Sequence, residues 1–170
     1  MIQIRQATIG DATALWKAEV ETAQTPGRLV SRPQELTLAS FEFRIRELET
    51  AGCYVVAVDD TNGLCGHALL EPMSLEALRH VFRLTVVVHP GRTGCGIGTA
   101  LLTHLQDWAS SNADALKIEL MARATNLGAI RLYERLGFAE EGRFRDRVRL
   151  PNGDFIDDVA MAWFPPSNAG

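Results

Sequence analysis

One glycine-rich segment, residues 89–98, constrains the fold of this chain more than any other part of the sequence. An apolar run from Leu84 to Val88 leads into it, and four of its ten residues are glycine. Beyond it, Ile97, Leu101 and Leu105 recur at the spacing of one helix face. A strand that passes through such a turn into a helix directs several backbone N–H groups, and the positive end of the helix dipole, to one place. The segment therefore predicts a phosphate-binding turn.

Three interpretations of this turn compete. A Walker A loop requires a lysine between its last glycine and the following Ser or Thr, and it is rejected because Gly98 directly precedes Thr99. A dinucleotide fingerprint is disfavoured, since Gly94 and Gly96 fill its first two glycine positions but the third falls on Thr99. The third interpretation is a strand-to-helix connection that binds no ligand. Four glycines argue against it, because each glycine loses more backbone entropy on folding than another residue would, and a simple connection does not require four of them.

Periodicity elsewhere predicts elements in the order β-α-α-β-β-β-α-β-α-β-β. The predicted strands are residues 2–4, Cys53–Val58, Leu64–Leu70, His80–Val88, Leu116–Met121, Phe138–Leu150 and Phe155–Trp163. The predicted helices run from Asp11 to about Val20, through Phe41, Ile45 and Leu48 to Ala51, from the glycine-rich segment to about Ala109, and from Asn126 to Leu136.

This order is typical of an α/β fold in which helices cover both faces of one mixed sheet. Two hairpin turns are expected, at Asn62-Gly63 and at residues 151–154. No repeat or interior linker interrupts the pattern, so residues 1–170 are expected to form a single domain. The tail after about residue 164 is expected to be frayed.

Composition sets bounds on function. With 170 residues, 46% of them hydrophobic and 22% charged, the chain has the make-up of a globular domain with its own core. Its net charge of −4 argues against nucleic-acid binding, which favours a surplus of Lys and Arg. We recognise no signal peptide and no run of about 20 apolar residues, so no membrane association is expected.

The cysteines and histidines predict neither disulfides nor a metal site. The three cysteines, at positions 53, 65 and 95, are widely spaced and form no CxxC pair. This pattern is typical of reduced thiols in the cytoplasm. The four histidines lack the spacing of metal ligands. A cytoplasmic protein without a bound metal is therefore expected.

Two motifs together resemble the GNAT N-acetyltransferase superfamily. Residues 86–90 followed by residues 94–102 resemble its acetyl-CoA-binding segment. Residues 126–138, NLGAIRLYERLGF, are similar to its second signature, N-x-x-A-x-x-x-Y-x-x-x-G-F. The resemblance implies a mostly antiparallel central sheet, acetyl-CoA as co-substrate and a small-molecule amine as acceptor. Members of this superfamily are often dimers, so a homodimer is compatible with the resemblance, but the sequence itself does not reveal the quaternary state.

The resemblance assigns the cofactor contacts. Backbone groups of the strand before the turn hold the pantetheine arm, which implies Val86, Val87 and Val88. N–H groups at the helix start hold the pyrophosphate, which implies Thr93, Gly94, Cys95, Gly96, Ile97, Gly98 and Thr99. The family usually has Arg or Gln where this chain has Thr93, so Arg92 is the candidate for the missing side-chain contact. The second signature implies cofactor contacts from Asn126, Ala129 and Tyr133.

Tyr133 is the candidate general acid. Acetyl transfer from a thioester to an amine requires a neutral amine, a polarised carbonyl and a proton for the departing thiolate. A phenol can supply that proton, with a pKa near 10 against about 8.5 for a thiol, and the resemblance puts this hydroxyl beside the CoA sulfur. The alternative is a plain core residue on an apolar helix face. A nucleophilic role for Cys95 is disfavoured because no His/Asp pattern accompanies it.

Glu71 and Glu119 are candidate general bases, acting directly or through water, although either could equally be a solvated carboxylate. The need for a base depends on the acceptor. At pH 7 an α-amine with a pKa near 8 is roughly one-tenth neutral, whereas a lysine-like amine near 10.4 is neutral in about one molecule in 2,500. An α-amino acceptor could therefore manage with a weak base.

The acceptor is expected between the loop of residues 24–33 and the last hairpin, which grip it in the family. Arg28 and Arg32 could bind an acceptor carboxylate, and Asp157 with the following aspartate could attract a cationic amine. These charges could equally belong to the surface. The resemblance favours transfer to a small amino acid or related amine. A protein N-terminal acetyltransferase and a non-catalytic acyl-CoA-binding sensor remain the alternatives.

Overall fold

The computed structural model of the chain describes residues 1–61 and 63–166. Within these ranges lie seven strands: β1 (Gln3–Gln6), β2 (Cys53–Val58), β3 (Leu64–Pro72), β4 (Val81–Val88), β5 (Lys117–Arg123), β6 (Ala139–Arg149) and β7 (Phe155–Trp163). The α-helices of the same ranges are α1 (Ala12–Ala23), α2 (Leu38–Ala51), α3 (Ile97–Ser110) and α4 (Leu127–Arg135). Short 3₁₀ turns precede α1, α2 and β4.

The seven strands form one sheet in the order β1-β2-β3-β4-β5-β7-β6. Neighbouring strands are antiparallel except β4 and β5, which are parallel. Antiparallel neighbours need only short turns, whereas a parallel pair needs a crossover, which α3 provides. The sheet is therefore mixed and mostly antiparallel, as predicted.

Successive side chains of a strand point to opposite faces of the sheet, and this divides the core into two layers. All six residues of β2 are buried. Tyr54 and Val56 pack with residues of α1 and α2 on one face, whereas Val55 and Ala57 pack with residues of α3 on the other. Side chains of α4 pack at the margin of this second layer, and no residue of α4 is fully buried. Helices thus cover both faces of the sheet.

The start of α1 is fixed by a charged cap. The carboxylate of Asp11 accepts hydrogen bonds from the N–H and hydroxyl of Thr8, at 2.8 and 2.9 Å. Arg5 of β1 donates two more, both at 2.8 Å. These donors hold the pKa of Asp11 below its ordinary value, the Arg5 hydrogen bonds having the largest effect. The predicted capping segment therefore also ties β1 to α1.

The order and type of the predicted elements are confirmed, and only boundaries shift. Helix α1 continues to Ala23, beyond the predicted end near Val20, and the Thr22 hydroxyl donates to Ala18 O at 2.7 Å. The predicted turn at residues 151–154 is confirmed. Asn62 of the other predicted turn lies outside the described residues, as do residues 167–170 of the predicted frayed tail.

Within residues 1–61 and 63–166, no helix is both long and apolar enough to cross a bilayer. The same residues contain no cluster of His, Cys, Asp and Glu side chains arranged to hold a metal ion. The three cysteines are free thiols.

Candidate functional site

Strands β4 and β5 separate soon after they begin. Their parallel pairing joins only Val81–Arg83 to Lys117–Glu119. β4 stays paired with β3 as far as Val88, and β5 stays paired with β7 as far as Arg123. The C-terminal halves of the two strands therefore border an opening, which we call the β4–β5 cleft. Along Leu84–Val88, the backbone groups that face the cleft have no strand partner in the described part of the chain.

The glycine-rich segment adopts a backbone that favours glycine. Gly94 and Gly96 have φ angles of 79° and 76°, in the left-handed region. A Cβ on either residue would meet no atom within 4 Å, so backbone conformation rather than crowding selects glycine. None of the N–H groups from Thr93 to Thr99 donates to an acceptor in residues 1–61 or 63–166. They therefore remain free to bind an anion at the start of α3.

The two sequence motifs are in contact. A Cβ placed on Gly98, in the first turn of α3, would lie 2.9 Å from Leu132 Cδ2 of α4. A side chain at this position would force Leu132 to shift, since a distance below 3.0 Å is essentially never seen for a real Cβ. The fold thus brings the glycine-rich segment beside the helix that carries Tyr133.

Tyr133 is half-buried on α4. Its ring packs edge-on against Phe138, with centroids 5.8 Å apart and an interplanar angle of 60°. Its hydroxyl makes no hydrogen bond to any described residue, although the phenol is partly removed from water. Burial raises the pKa of Tyr133 to about 12, with the positive charge of Arg123 opposing the rise. The phenol is therefore protonated near neutral pH and has a proton to donate.

Asn126 caps α4, as predicted. Its side-chain oxygen accepts a hydrogen bond from the N–H of Ala129 at 3.3 Å. Its own N–H donates to Arg123 O at 2.8 Å, which joins the cap to the end of β5. The cap accounts for the identity of Asn126 without a ligand. Its contact with a cofactor stays a prediction, as does that of Ala129.

The two candidate bases flank one arginine where β4 and β5 separate. Glu71 pairs with Arg83 across β3 and β4, and Arg83 pairs with Glu119 across β4 and β5. The Glu71 carboxylate lies 3.5 Å from both Arg44 and Arg83. Glu119 lies 3.6 Å from the amine of Lys117. Both carboxylates are thus near the floor of the β4–β5 cleft, each beside a cation.

The loop predicted to grip the acceptor reaches the far side of the cleft. A Cβ on Gly27 would lie 3.8 Å from Ile156 Cδ1 of β7 and 3.9 Å from the Thr125 hydroxyl. Arg28 follows this contact and is exposed. Arg32, five residues after Gly27, is also exposed and makes no ion pair with a described residue. The structure therefore brings this loop against the last hairpin.

Asp157 is engaged within that hairpin. Its carboxylate accepts a hydrogen bond from the N–H of Asp146 at 2.9 Å and lies 3.7 Å from Arg143. Asp146 has a positive φ of 52° within a β-bulge of β6, so the bond stabilises an unusual backbone. These contacts give Asp157 a structural role, and its predicted part in acceptor binding stays a prediction.

Arg92 points to a neighbouring loop. Its guanidinium lies 2.9 Å from a carboxylate oxygen of Asp59, in the β2–β3 connection. Hydrogen bonds from Thr61 and Gly63, together with the charge of Arg92, lower the pKa of Asp59 to about 2. Arg92 is half-exposed, beside the free N–H groups that begin at Thr93. The predicted phosphate contact would therefore compete with an existing ion pair.

The sequence profile of the acetyltransferase (GNAT) family matches residues 14–138, from α1 to the end of the second motif. The chain belongs to this family. No curated protein sequence matches the chain.

Solved acetyltransferases share the fold of this GNAT chain. A GNAT-family acetyltransferase from Streptococcus pneumoniae is 21% identical, with a TM-score of 0.87 over 96% of this chain and 99% of its own. A phosphinothricin acetyltransferase from Sinorhizobium meliloti, solved with acetyl-CoA, is 19% identical, with a TM-score of 0.90 over 99% of this chain and 90% of its own. A ribosomal-protein-alanine N-acetyltransferase from Brucella melitensis is 24% identical, with a TM-score of 0.86 over 95% and 99%.

Sequence reasoning missed a buried ion pair of this GNAT acetyltransferase. Arg123 at the end of β5 forms a close ion pair with Asp158 of β7, its register partner, and both side chains are buried. A second guanidinium nitrogen donates to Met121 O at 3.0 Å. The aspartate expected to attract a cationic amine is therefore satisfied internally. Only the strand register reveals the pair, since 35 residues separate its members.

A chain of buried polar side chains in the acetyltransferase was also missed. A ring nitrogen of His67 lies 3.0 Å from Glu19 of α1, and the other lies 3.0 Å from His89. The second ring nitrogen of His89 lies 3.2 Å from Leu64 O. Burial and the neighbouring His67 lower the pKa of His89 to about 4. We call Glu19, His67 and His89 the buried histidine chain.

Proposed function

We propose that this acetyltransferase moves the acetyl group of acetyl-CoA to the primary amine of a small amino acid or related amine. The observation that carries the proposal is the open edge of β4 beside a turn whose N–H groups are free. An extended, amide-bearing arm can pair with such an edge, and a pyrophosphate suits such a turn. Acetyl-CoA carries both groups in one molecule.

The cofactor contacts follow from that arrangement. The N–H groups from Thr93 to Thr99 would bind the pyrophosphate, and the cleft-facing backbone of Val86–Val88 would pair with the pantetheine arm. Asn126 and Ala129, at the start of α4, would line the same side. The Sinorhizobium relative, which shares the fold, was solved with acetyl-CoA. This supports the cofactor assignment.

Tyr133 would serve as general acid. The acceptor nitrogen attacks the thioester carbonyl carbon, the carbon–sulfur bond breaks, and the phenol donates its proton to the departing sulfur. A pKa raised to about 12 keeps the phenol protonated before the reaction. Its free hydroxyl and its position on the helix that contacts the start of α3 support this role.

The acceptor would approach the cleft from the side of the α1–α2 loop. Glu71 and Glu119, near the cleft floor, would accept the proton that the amine loses, directly or through water. Exposed Arg28 and Arg32 would bind an acceptor carboxylate, which favours an amino acid. The Brucella relative, named for transfer to a ribosomal-protein alanine, favours a peptide N-terminus as the second candidate acceptor.

The test is a panel of amines assayed for free CoA thiol in the presence of acetyl-CoA. The panel holds free amino acids, their carboxyl amides, polyamines and short peptides with a free N-terminus. We expect turnover with amino acids, loss of turnover with the amides, and a raised KM for the amino acid in Arg28→Ala and Arg32→Ala. Arg46→Ala, an exposed arginine of α2, is the matched control.

The other outcomes are distinct. Turnover with peptides alone would replace the small-amine proposal by N-terminal acetylation. CoA binding, measured by calorimetry, without thiol release from any amine would indicate an acyl-CoA sensor. Absence of CoA binding would contradict the cofactor assignment itself.

A further inference from the structure

The buried histidine chain ends at the first residue of the glycine-rich segment. Its members come from three separate places: Glu19 from α1, His67 from the middle of β3, and His89 from the residue after β4. Their exposed fractions are 6%, 0% and 5%, so all three are shielded from water. Three ionisable groups buried together are costly unless each is hydrogen-bonded, and each of them is.

The hydrogen-bond donors in this chain can be assigned from its fixed end. Leu64 O can only accept, so the facing Nδ1 of His89 carries a hydrogen. Because His89 is neutral at ordinary pH, its Nε2 is then a lone pair, and His67 must donate to it through Nδ1–H. The direction of every bond on the His89 side is therefore set.

One proton must then lie between His67 and Glu19. If the Glu19 carboxylate is ionised, His67 Nε2 must carry a hydrogen and is the cation of an ion pair. If His67 is neutral, Nε2 is a lone pair and the carboxyl group must donate to it. Without this proton, a lone pair and a carboxylate oxygen would face each other 3.0 Å apart in the interior.

The chain fixes His89 at both its ring and its backbone. The His89 N–H donates to Cys65 O at 3.0 Å, and its carbonyl accepts from the N–H of Arg92 at 3.1 Å. That second bond is the only backbone hydrogen bond found within residues 89–96. The turn is otherwise open and exposed. This bond anchors His89 to the segment directly before the free N–H groups of Thr93 to Thr99.

We propose that Glu19, His67 and His89 are positioning residues that hold the glycine-rich segment in its phosphate-binding geometry through one shared buried proton. This inference rests on the proposed function, because it takes the segment to bind the pyrophosphate of acetyl-CoA. The three residues do not touch the acetyl group or the amine. Their loss would weaken acetyl-CoA binding and leave turnover at saturation unchanged.

Glu19→Leu and Glu19→Gln separate this role from simple packing. Leucine cannot bond His67, so we expect the KM for acetyl-CoA and the Kd for CoA to rise about tenfold, with kcat and the KM for the amine unchanged. Glutamine can donate its amide hydrogen to the Nε2 lone pair of neutral His67, so we expect near-wild-type values. Glu21→Leu, an exposed glutamate on the same helix, is the matched control.

Two results of these variants would overturn the proposal. One is a lower Tm for Glu19→Leu with an unchanged Kd for CoA, which would mean that the chain only stabilises the fold. The other is a Glu19→Gln variant as impaired as Glu19→Leu, which would mean that the shared proton is not what the chain requires.

The proton assignment is testable in the wild-type protein, even if Glu19→Leu does not fold. Nitrogen NMR of the imidazole rings should show neutral His89 protonated at Nδ1, and a through-hydrogen-bond coupling between the rings of His67 and His89. Protonation of His89 at Nε2 would contradict the chain. If wild-type protein shows the expected tautomer but binds no CoA, the proposed function fails and the proton assignment stands. If wild-type protein and Glu19→Leu bind CoA equally tightly, the positioning role is contradicted, whereas the proposed function and the proton assignment stand.

Discussion

The protein has two tyrosines, and their hydroxyl groups lie in contrasting settings. The Tyr54 hydroxyl is fully buried in the layer beneath α1 and α2 and has no hydrogen-bond partner in the described ranges. The Tyr133 hydroxyl lies on a half-buried helix beside the glycine-rich segment. The pair provides an internal comparison for the proposed acid, because the same substitution removes one oxygen from each.

We expect Tyr133→Phe to lower kcat about a hundredfold or more, because the thiolate would leave without a proton donor. Tm and the KM for acetyl-CoA should change little, since the ring is retained. Steady-state kinetics at saturating acetyl-CoA give the measurement. Tyr54→Phe should leave kcat unchanged and should not reduce Tm, because it removes a buried hydroxyl that has no partner. Full activity in Tyr133→Phe would exclude the general-acid role.

Arg92→Ala should raise the KM for acetyl-CoA about threefold to fivefold, the effect of losing one exposed charge contact to a phosphate. Arg92→Lys should recover part of this loss, since it keeps the charge without the planar fork. The KM for the amine should not move. An unchanged KM for acetyl-CoA in Arg92→Ala would mean that Arg92 serves only its ion pair with Asp59.

Among the elements, the turn before α3 depends most on backbone conformation. Gly96→Ala places a side chain at a φ of 76°, which costs about 1 kcal/mol and corresponds to roughly fivefold weaker CoA binding. Gly153→Ala is the matched control, with a φ of 94° in the β6–β7 turn and equally open surroundings. Only Gly96→Ala should weaken CoA binding in calorimetry, and equal affinities would exclude the turn from the site.

Most elements could be predicted from the sequence because the spacing of apolar residues that indicates a helix or a strand can be recognised within a short segment. Strand β2 lies between Gly52 and Asp59, β3 follows Gly63, and α3 shows one apolar face that begins at Ile97. The buried Arg123–Asp158 pair could not be predicted, because strand register brings its members together across the sheet. The same holds for Glu19 and His67, which lie 48 residues apart in sequence. Local patterns carry no information on such contacts.

The candidate site was predictable in part for the same reason. The glycine-rich segment and Tyr133 lie in motifs that are recognisable without a structure. Their contact through Gly98 and Leu132 depends on how α4 packs, and the ion pair of Arg92 depends on the β2–β3 loop. The sequence therefore predicts which residues carry the chemistry better than it predicts what holds them in place.

At the scale of the whole molecule, the Arg5–Asp11–Thr8 cap joins the first strand to the first helix, and it makes stability depend on pH. The folded-state pKa of Asp11 lies below its ordinary value. A lowered folded pKa stabilises the protein above the unfolded pKa of about 4, and this stability is lost as pH falls through the folded pKa.

We therefore expect Asp11→Asn to reduce the free energy of unfolding by about 2 kcal/mol at pH 7, because a carboxylate with four hydrogen bonds loses its charge. The difference from wild type should shrink below about pH 4, as the pH falls from the unfolded pKa of this carboxyl towards its lower folded pKa. Urea denaturation at pH 7 and pH 3 gives the comparison. Asp114→Asn, at an exposed position, should have no effect at either pH. A difference that is constant with pH would assign the loss to geometry rather than charge.

The short pairing between β4 and β5 has a consequence for the resistance of the protein to proteolysis in a cell. Only three residues of each strand join the two antiparallel sections of the sheet. An acetyl-CoA arm lying along Val86–Val88 would add bonds at this seam, and a ligand that binds only the folded state stabilises it by about 2.7 kcal/mol at a hundred times its Kd. Resistance to proteolysis would then rise and fall with the supply of the co-substrate.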